Sequence, residues 1–140
     1  MAQPDRANWL LRVARGDVMG ARAMLEAADA PPRLAAYLAH QAAEKALKAS
    51  IATIGREPPW IHDLAGLLLL APDGVRTALA NVAFGAFEAA RIKGRYPDDE
   101  SELVDRTRAD RLIADAEAII EAVTAHFGSS TSPRLALEPI

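Results

Sequence analysis

The chain has 140 residues, a mass of 15.0 kDa and a formal net charge of −3 at pH 7. This length predicts a single domain, because it leaves too few residues for a second core. The sequence contains no cysteine, which excludes disulfides, thiolate metal sites and a cysteine nucleophile. The acidic balance excludes a basic field over the whole surface, so a nucleic acid would have to bind at a local patch.

The composition favours helices. Hydrophobic residues make up 51% of the chain and aromatic residues only 5%, while alanine alone occurs 31 times. Small, unbranched side chains favour helices that pack closely. The first residues, MAQPDRANW, lack the order of a secretion signal, and the apolar run from Leu64 to Ala71 is too short to span a membrane. We therefore expect a soluble, cytoplasmic protein.

Apolar residues recur at three and four residues over 6–28, which predicts a first helix that ends before two consecutive prolines. The alanine-rich run that starts at Arg33 predicts a second helix, for which Gly55 is a natural left-handed C-terminal cap. The two prolines of REPPWI, over 56–61, exclude a helix and predict a loop.

A short helix with Asp63 or its neighbour as N-cap is predicted to end before Pro72, and a longer helix is predicted over 75–92. Within the longer helix, Gly85 suggests close packing or a bend. Acidic residues then favour a helix start near residue 100, and the apolar stripe continues to residue 127. The polar, proline-containing remainder over 129–140 predicts a flexible tail.

These helices are joined by short connections, and the sequence shows no strand pattern and no internal repeat. The expected fold is all-α: an up-and-down bundle of four long helices plus one short helix. Residues 1–128 form the bundle in this prediction. The buried stripe predicted for 75–92 is formed by Val75, Leu79, Val82, Ala83, Ala86 and Phe87. A competing expectation, which conflicts with this stripe at Phe87, follows from the small number of aromatic residues: Phe84 and Phe87 are exposed for a partner rather than both needed in the core.

The second helix carries a dense polar series in an apolar context, formed by His40, Gln41, Glu44, Lys45 and Lys48. The common explanation is a solvated face on which Glu44 pairs with Lys48 at a spacing of four residues. The alternative is a ligand site. His40 instead aligns with the apolar positions of the helix, which is more typical of a core histidine than of a catalytic one.

A second candidate is the basic and aromatic cluster of Arg91, Lys93, Arg95 and Tyr96 in an otherwise acidic chain. Such residues can hold a phosphate and stack a base, or they can simply lie at a helix C-terminus, where cations are favourable. The adjacent pair His62 and Asp63 is more typical of helix capping than of chemistry.

Known catalytic and metal-binding motifs are absent from the sequence. It has no glycine-rich phosphate loop, no GxSxG, no HExxH and no ExxH repeat. A metal site is therefore not expected, and no cofactor is predicted.

Three strings at these residues resemble the HEPN domain family: HQAAEKALKA at 40–49, HDL at 62–64 and GRYPD at 94–98. Their order and separation are similar to the branch that accompanies minimal nucleotidyltransferases, and the resemblance covers roughly residues 6–126. It implies a helical bundle that is usually a homodimer and is often half of a toxin–antitoxin pair with a small nucleotidyltransferase. Active members of the wider superfamily are metal-independent ribonucleases with an arginine followed at short spacing by a histidine.

The sequence departs from that ribonuclease signature, because no histidine follows Arg91 or Arg95 at short spacing. The first hypothesis is therefore a module that binds nucleotide or RNA phosphate and pairs with a nucleotidyltransferase. The expected ligand-binding residues are Arg91, Arg95, Tyr96, Lys45 and Lys48, with Gln41, Glu44, His62, Asp63 and Asp98 in support.

Two alternatives stay open. The first is a ribonuclease toxin in which Arg95 supplies the cation and His40, or else His62, supplies the base. The second is a purely structural module that uses the polar stripe of the second helix as a protein interface.

Overall fold

A computed structural model describes residues 3–95 and 104–137, with side chains over 5–90 and 104–128. Over these ranges the chain forms helices and no strands. The helices are α1 (Gln3–Glu26), α2 (Pro32–Thr53), α3 (Leu64–Leu70), α4 (Asp73–Ala78), α5 (Phe84–Arg95) and α6 (Arg106–Leu137). The predicted all-α fold is confirmed. None of the helices in the described ranges combines the length and the apolar character needed to cross a membrane.

Helix α2 is the centre of the bundle and packs against α1, α3, α5 and α6. Alanine makes this possible, because its short side chain lets neighbouring helices approach closely. The alanines of α2 with no more than 3% exposure are Ala35, Ala36, Ala39, Ala42, Ala43, Ala46, Ala49 and Ala52. On the α1 side, a Cβ added to Gly20 would lie 3.4 Å from Leu38, so the glycine fits a close approach of the two helices.

The helix predicted over 75–92 is wrong as one continuous element. The chain instead turns over 79–83, where the N–H of Val82 donates to the carbonyl of Leu79. Helix α4 packs against α3 and α6, whereas α5 packs against α2 and α3. Because of the turn, Val75 of α4 and Phe87 of α5 are both fully buried, each against the neighbours of its own helix. The bend does not occur at Gly85, which lies in the first turn of α5 with open space beside it.

The expectation that both phenylalanines of α5 are exposed is also wrong. Phe87 is completely buried, and its ring lies 6.3 Å from that of His40 in an edge-to-face arrangement. Phe84 is partly buried and packs against the same core. In contrast, Ala83 and Ala86, which were predicted to face the core, are exposed.

Helix α6 begins later and ends later than predicted. Asp105 precedes it and accepts a hydrogen bond of 2.8 Å from the N–H of Arg108, which is the usual contact of a capping residue. The helical backbone continues through Gly128 to Leu137, so the end predicted at residue 127 is wrong. A helical backbone does not test mobility, and the flexible tail over 129–140 stays a prediction.

Candidate functional site

Glu44 lies in the middle of α2 and is only 4% exposed. Its carboxylate is the common partner of a group of nitrogen-bearing side chains. The Nζ of Lys48 is 3.0 Å from Oε2, and the Nδ1 of His62 is 2.9 Å from Oε1. Lys45 follows at 3.8 Å, and the Nδ1 of His40 lies 4.0 Å away. We call Glu44, Lys45, Lys48 and His62 the Glu44 cluster.

Two local features assemble the Glu44 cluster. Helical geometry places Lys48 one turn after Glu44, as the spacing predicted. His62 comes from the loop before α3, where the Asp63 side chain accepts the N–H of Gly66 at 3.3 Å, so the predicted cap is confirmed. Leu64 is buried directly after this cap and fixes the loop end against the core. The imidazole of His62 is thereby placed over α2.

The carboxylate of Glu44 is held in its charged form. Burial raises its pKa and is the largest single influence, but hydrogen bonds from Lys48 and His62 and the charges of Lys48 and Lys45 together outweigh burial. The net result is a lowered pKa. Because an ionised carboxylate only accepts hydrogen bonds, the Nδ1 of His62 must carry the proton that it shares with Glu44.

The Glu44 cluster reaches the solvent mainly through His62. The side chain of His62 is 68% exposed, whereas those of Lys45 and Lys48 are only 26% and 13% exposed. A lysine ammonium has three donors, so Lys48 keeps donors beyond the one it gives to Glu44. The cluster therefore combines a buried anion with lysine donors at the edge of the surface and an exposed imidazole that donates through Nε2 when protonated, which is an arrangement able to hold a phosphate.

Asp17 on α1 is a residue that the sequence analysis missed. Its Oδ2 is buried and has no hydrogen-bond partner among the described residues. Burial raises the pKa of this carboxyl, and the charge of Lys45 lowers it in part. The signal was present in the sequence, because position 17 lies beside the buried positions Ala14 and Ala21 of α1.

His40 belongs to the core and not to the open face. It is 4% exposed, as its alignment with the apolar positions predicted, and it packs against Phe87. Gln41, one turn before Lys45, is half-buried.

The basic segment of the chain continues α5 past Phe87. The backbones of Arg91 and Arg95 belong to α5, but their side chains lie outside the described residues. Tyr96 and Asp98 lie outside the described residues altogether. In the described ranges, no group of three or more histidine, aspartate or glutamate side chains is arranged to hold a metal ion.

Comparisons with known proteins agree with this architecture. The HEPN domain family model matches residues 7–126. The fold is similar to the crystal structure of TT1696 from Thermus thermophilus, with a TM-score of 0.61 and 26% sequence identity, over 89% of this chain and 98% of that one. No curated protein matches the sequence. The family match covers most of the bundle, from the start of α1 into α6, and the chain belongs to the HEPN domain family.

Proposed function

We propose that this chain is a dimeric HEPN-type module that binds a nucleotide or RNA phosphate and acts with a minimal nucleotidyltransferase in a cytoplasmic toxin–antitoxin-like pair. The observation that carries the proposal is the Glu44 cluster, in which a buried carboxylate orients cations toward solvent. Buried charges are costly unless they are paired, so a carboxylate kept in this position is more than a solvated surface charge.

Phosphate is the ligand that fits the charges of the Glu44 cluster. Lys45 and Lys48 carry two positive charges against the single charge of Glu44, and His62 adds a further nitrogen at the surface. Asp17 offsets part of the charge of Lys45. Lys48 and the protonated form of His62, whose Nε2 then carries a proton to donate, are the expected main contacts, because both are hydrogen-bonded directly to Glu44.

The basic segment of α5 supports the same location. Helix α5 packs along α2, and Phe87 contacts His40 one turn before Glu44. Arg91 and Arg95 follow Phe87 by one and two helical turns. In the proposal these two arginines add to the phosphate site, Tyr96 offers a stacking face and Asp98 orients the cations.

Calorimetric titration with adenosine monophosphate and with a short single-stranded RNA tests the phosphate site. The variant Lys48→Gln keeps a donor for Glu44 but removes the charge, so both ligands should bind about tenfold more weakly. Arg76→Gln is the matched control, because Arg76 is an exposed arginine of α4 that pairs with Asp73. Equal affinity in wild type and Lys48→Gln would refute the site at Lys48, and no binding by wild type would leave a purely structural interaction module.

Dimerisation and pairing need separate measurements. Light scattering at micromolar concentration should give twice the mass of the chain, and a monomer mass would contradict the dimer. The burial of Phe87 removes one of the two side chains first expected at the interface. The pairing predicts that a nucleotidyltransferase encoded by the neighbouring gene co-purifies with the chain at fixed stoichiometry.

A specific observation also favours a second candidate, a metal-independent ribonuclease. Because His62 gives its Nδ1 proton to Glu44, the Nε2 of this exposed side chain is an acceptor whenever the ring is neutral. This nitrogen would take the proton of an RNA 2′-hydroxyl as that oxygen bonds to phosphorus, while the bond from phosphorus to the 5′-oxygen breaks and the leaving oxygen takes a proton from water. Arg95 would supply the cation, which is also its role in the ribonuclease alternative predicted from the sequence, where His40 is the base.

The two histidines can be separated by experiment. If the chain cleaves RNA in the presence of EDTA, His62→Ala should abolish cleavage, whereas His40→Ala should act through the stability of the fold. RNA that stays intact for hours with wild-type protein would refute this candidate and leave the binding module.

A further inference from the structure

Trp60 is the most exposed large hydrophobic residue of the described chain, at 94%. It lies in the loop between α2 and α3. Burying a tryptophan, on folding or on binding, removes a large apolar area from water. The fold does not bury the side chain of Trp60. Its indole ring is available to a ligand from both faces.

The exposure of Trp60 does not come from a loosely held loop. On one side, Pro58 is buried and Glu57 forms an ion pair of 2.5 Å with Arg6 of α1. On the other side, His62 contacts Glu44, and Asp63 caps α3. The loop is thus attached to the bundle before and after the tryptophan. An aromatic ring that is already held in place before binding lowers the entropy cost of binding a ligand.

Trp60 is next to the Glu44 cluster. Only Ile61 separates it from His62, so the two backbones lie within about 7 Å of each other. If the phosphate of a nucleotide binds Lys48 and His62, the sugar and base attached to that phosphate are within reach of the Trp60 ring. Tyr37, another exposed aromatic residue of α2, lies eight residues before Lys45, or about 12 Å along the helix axis.

We propose that Trp60 is the stacking surface for an unpaired base of the nucleotide or single-stranded RNA whose phosphate binds Lys48 and His62. This inference rests on the proposed function and specifies its ligand. Cations beside an exposed aromatic ring match a nucleotide, which carries an anion and a flat base. They match an apolar protein surface less well, because the cations would lose water without gaining a partner. A base-paired duplex is excluded as the preferred ligand, since its bases are not free to stack.

The two tryptophans of the chain allow a direct test. In the variant Trp9→Phe, the fluorescence excited selectively from tryptophan comes from Trp60 alone. Titration with adenosine monophosphate should quench this emission, whereas ribose 5-phosphate, which lacks the base, should not. By calorimetry, adenosine monophosphate should bind about tenfold more tightly than ribose 5-phosphate.

The variant Trp60→Ala should lower the affinity for adenosine monophosphate about tenfold and leave ribose 5-phosphate binding unchanged. Tyr37→Ala is the matched control, because it removes an exposed aromatic ring away from the cluster and should change neither affinity. If Tyr37→Ala has the larger effect, the base stacks elsewhere and the inference is wrong.

The remaining outcomes separate this inference from the proposed function. Equal binding of both ligands, with unchanged emission, would refute stacking and keep the phosphate site. Binding of neither ligand would refute both. The emission of Trp60 should also be recorded at increasing protein concentration without ligand. A blue shift that accompanies a doubling of the mass would show that a second copy covers the ring, and this outcome also overturns the inference.

Discussion

The Nδ1 atom of His62 lies 2.9 Å from Oε1 of Glu44, although the carboxylate is buried and most of the imidazole is exposed. The pair therefore connects the interior of α2 to the protein surface. Glu44 fixes the tautomer and the position of the ring, and the ring covers one side of the carboxylate. Structure and ligand binding depend on the same contact, so substitutions at Glu44 should affect both.

Replacing Glu44 by glutamine should destabilise the fold by roughly 1–3 kcal/mol. The amide keeps the shape of the side chain but gives Lys48 and His62 a weaker, neutral acceptor. Urea denaturation monitored by circular dichroism measures the change in the free energy of unfolding. Glu121→Gln is the control, because Glu121 is exposed on α6 and the same substitution there should cost little. Equal stability of the two variants would mean that the Glu44 contacts contribute nothing.

The lowered pKa of Glu44 predicts a pH dependence with a definite sign. Glu44 binds protons less readily in the folded chain than in the unfolded chain, where its pKa is about 4.5. Its stabilising effect is therefore complete above that value and is lost as the pH falls through the lower pKa of the folded state. The difference in stability between wild type and Glu44→Gln should shrink below about pH 4. A difference that is constant from neutral to acid pH would contradict the assignment.

Asp17 should behave in the opposite way. Burial raises its pKa, so the ionised carboxylate costs stability at neutral pH, and this cost decreases as the pH falls through the raised pKa of the folded state and is gone below the unfolded value of about 3.8. Asp17→Asn should raise the free energy of unfolding at pH 7 by less than about 1 kcal/mol, because the partly exposed side chain is screened by solvent. The advantage should vanish in acid. A destabilised Asp17→Asn variant would show that the carboxylate has a partner that it needs.

The same substitution should also affect ligand binding. Asp17 opposes the charge of Lys45, so Asp17→Asn should bind adenosine monophosphate about twofold more tightly at low salt. Asp5→Asn, an exposed aspartate near the start of α1, is the control for a general change in net charge. If both variants tighten binding equally, the effect comes from the net charge and not from the vicinity of Lys45.

How much of the site could be predicted depends on how far apart the interacting residues are in the sequence. The pairing of Glu44 with Lys48 followed from helical spacing alone. The burial of Glu44 did not, because it depends on four other helices that surround α2. His62 is 18 residues from Glu44, and only the path of the loop brings the two together.

The fold shows the same division. The boundaries of α1 and α2 were predicted to within a few residues, because prolines and a glycine mark them. The turn over 79–83 was missed because the apolar spacing runs through it without a proline or glycine. Its cause is tertiary, since Val75 and Phe87 are buried against different neighbours of their helices.

The cap of α3 should support the site as well as the helix. Asp63→Ala removes the acceptor for the N–H of Gly66 and should cost about 1 kcal/mol. Because His62 precedes this cap, the variant should also weaken nucleotide binding. Asp63→Asn keeps a capping oxygen and should restore both properties. Loss of stability without any change in affinity would show that the cap does not position His62.

Arg95 provides a test of the basic segment that is independent of Glu44. Arg95→Ala should abolish nucleotide or RNA binding with little loss of stability, because the core contacts of α5 are made by Phe87. Any RNA binding that remains measurable at low salt allows a second test. When the logarithm of the affinity is plotted against the logarithm of the salt concentration, the magnitude of the slope should fall by about 0.7, because one phosphate contact on a single strand is lost. Arg108→Ala, an exposed arginine of α6, should leave the slope unchanged. Unchanged affinity and slope in Arg95→Ala would remove the end of α5 from the site and leave the Glu44 cluster to bind phosphate alone.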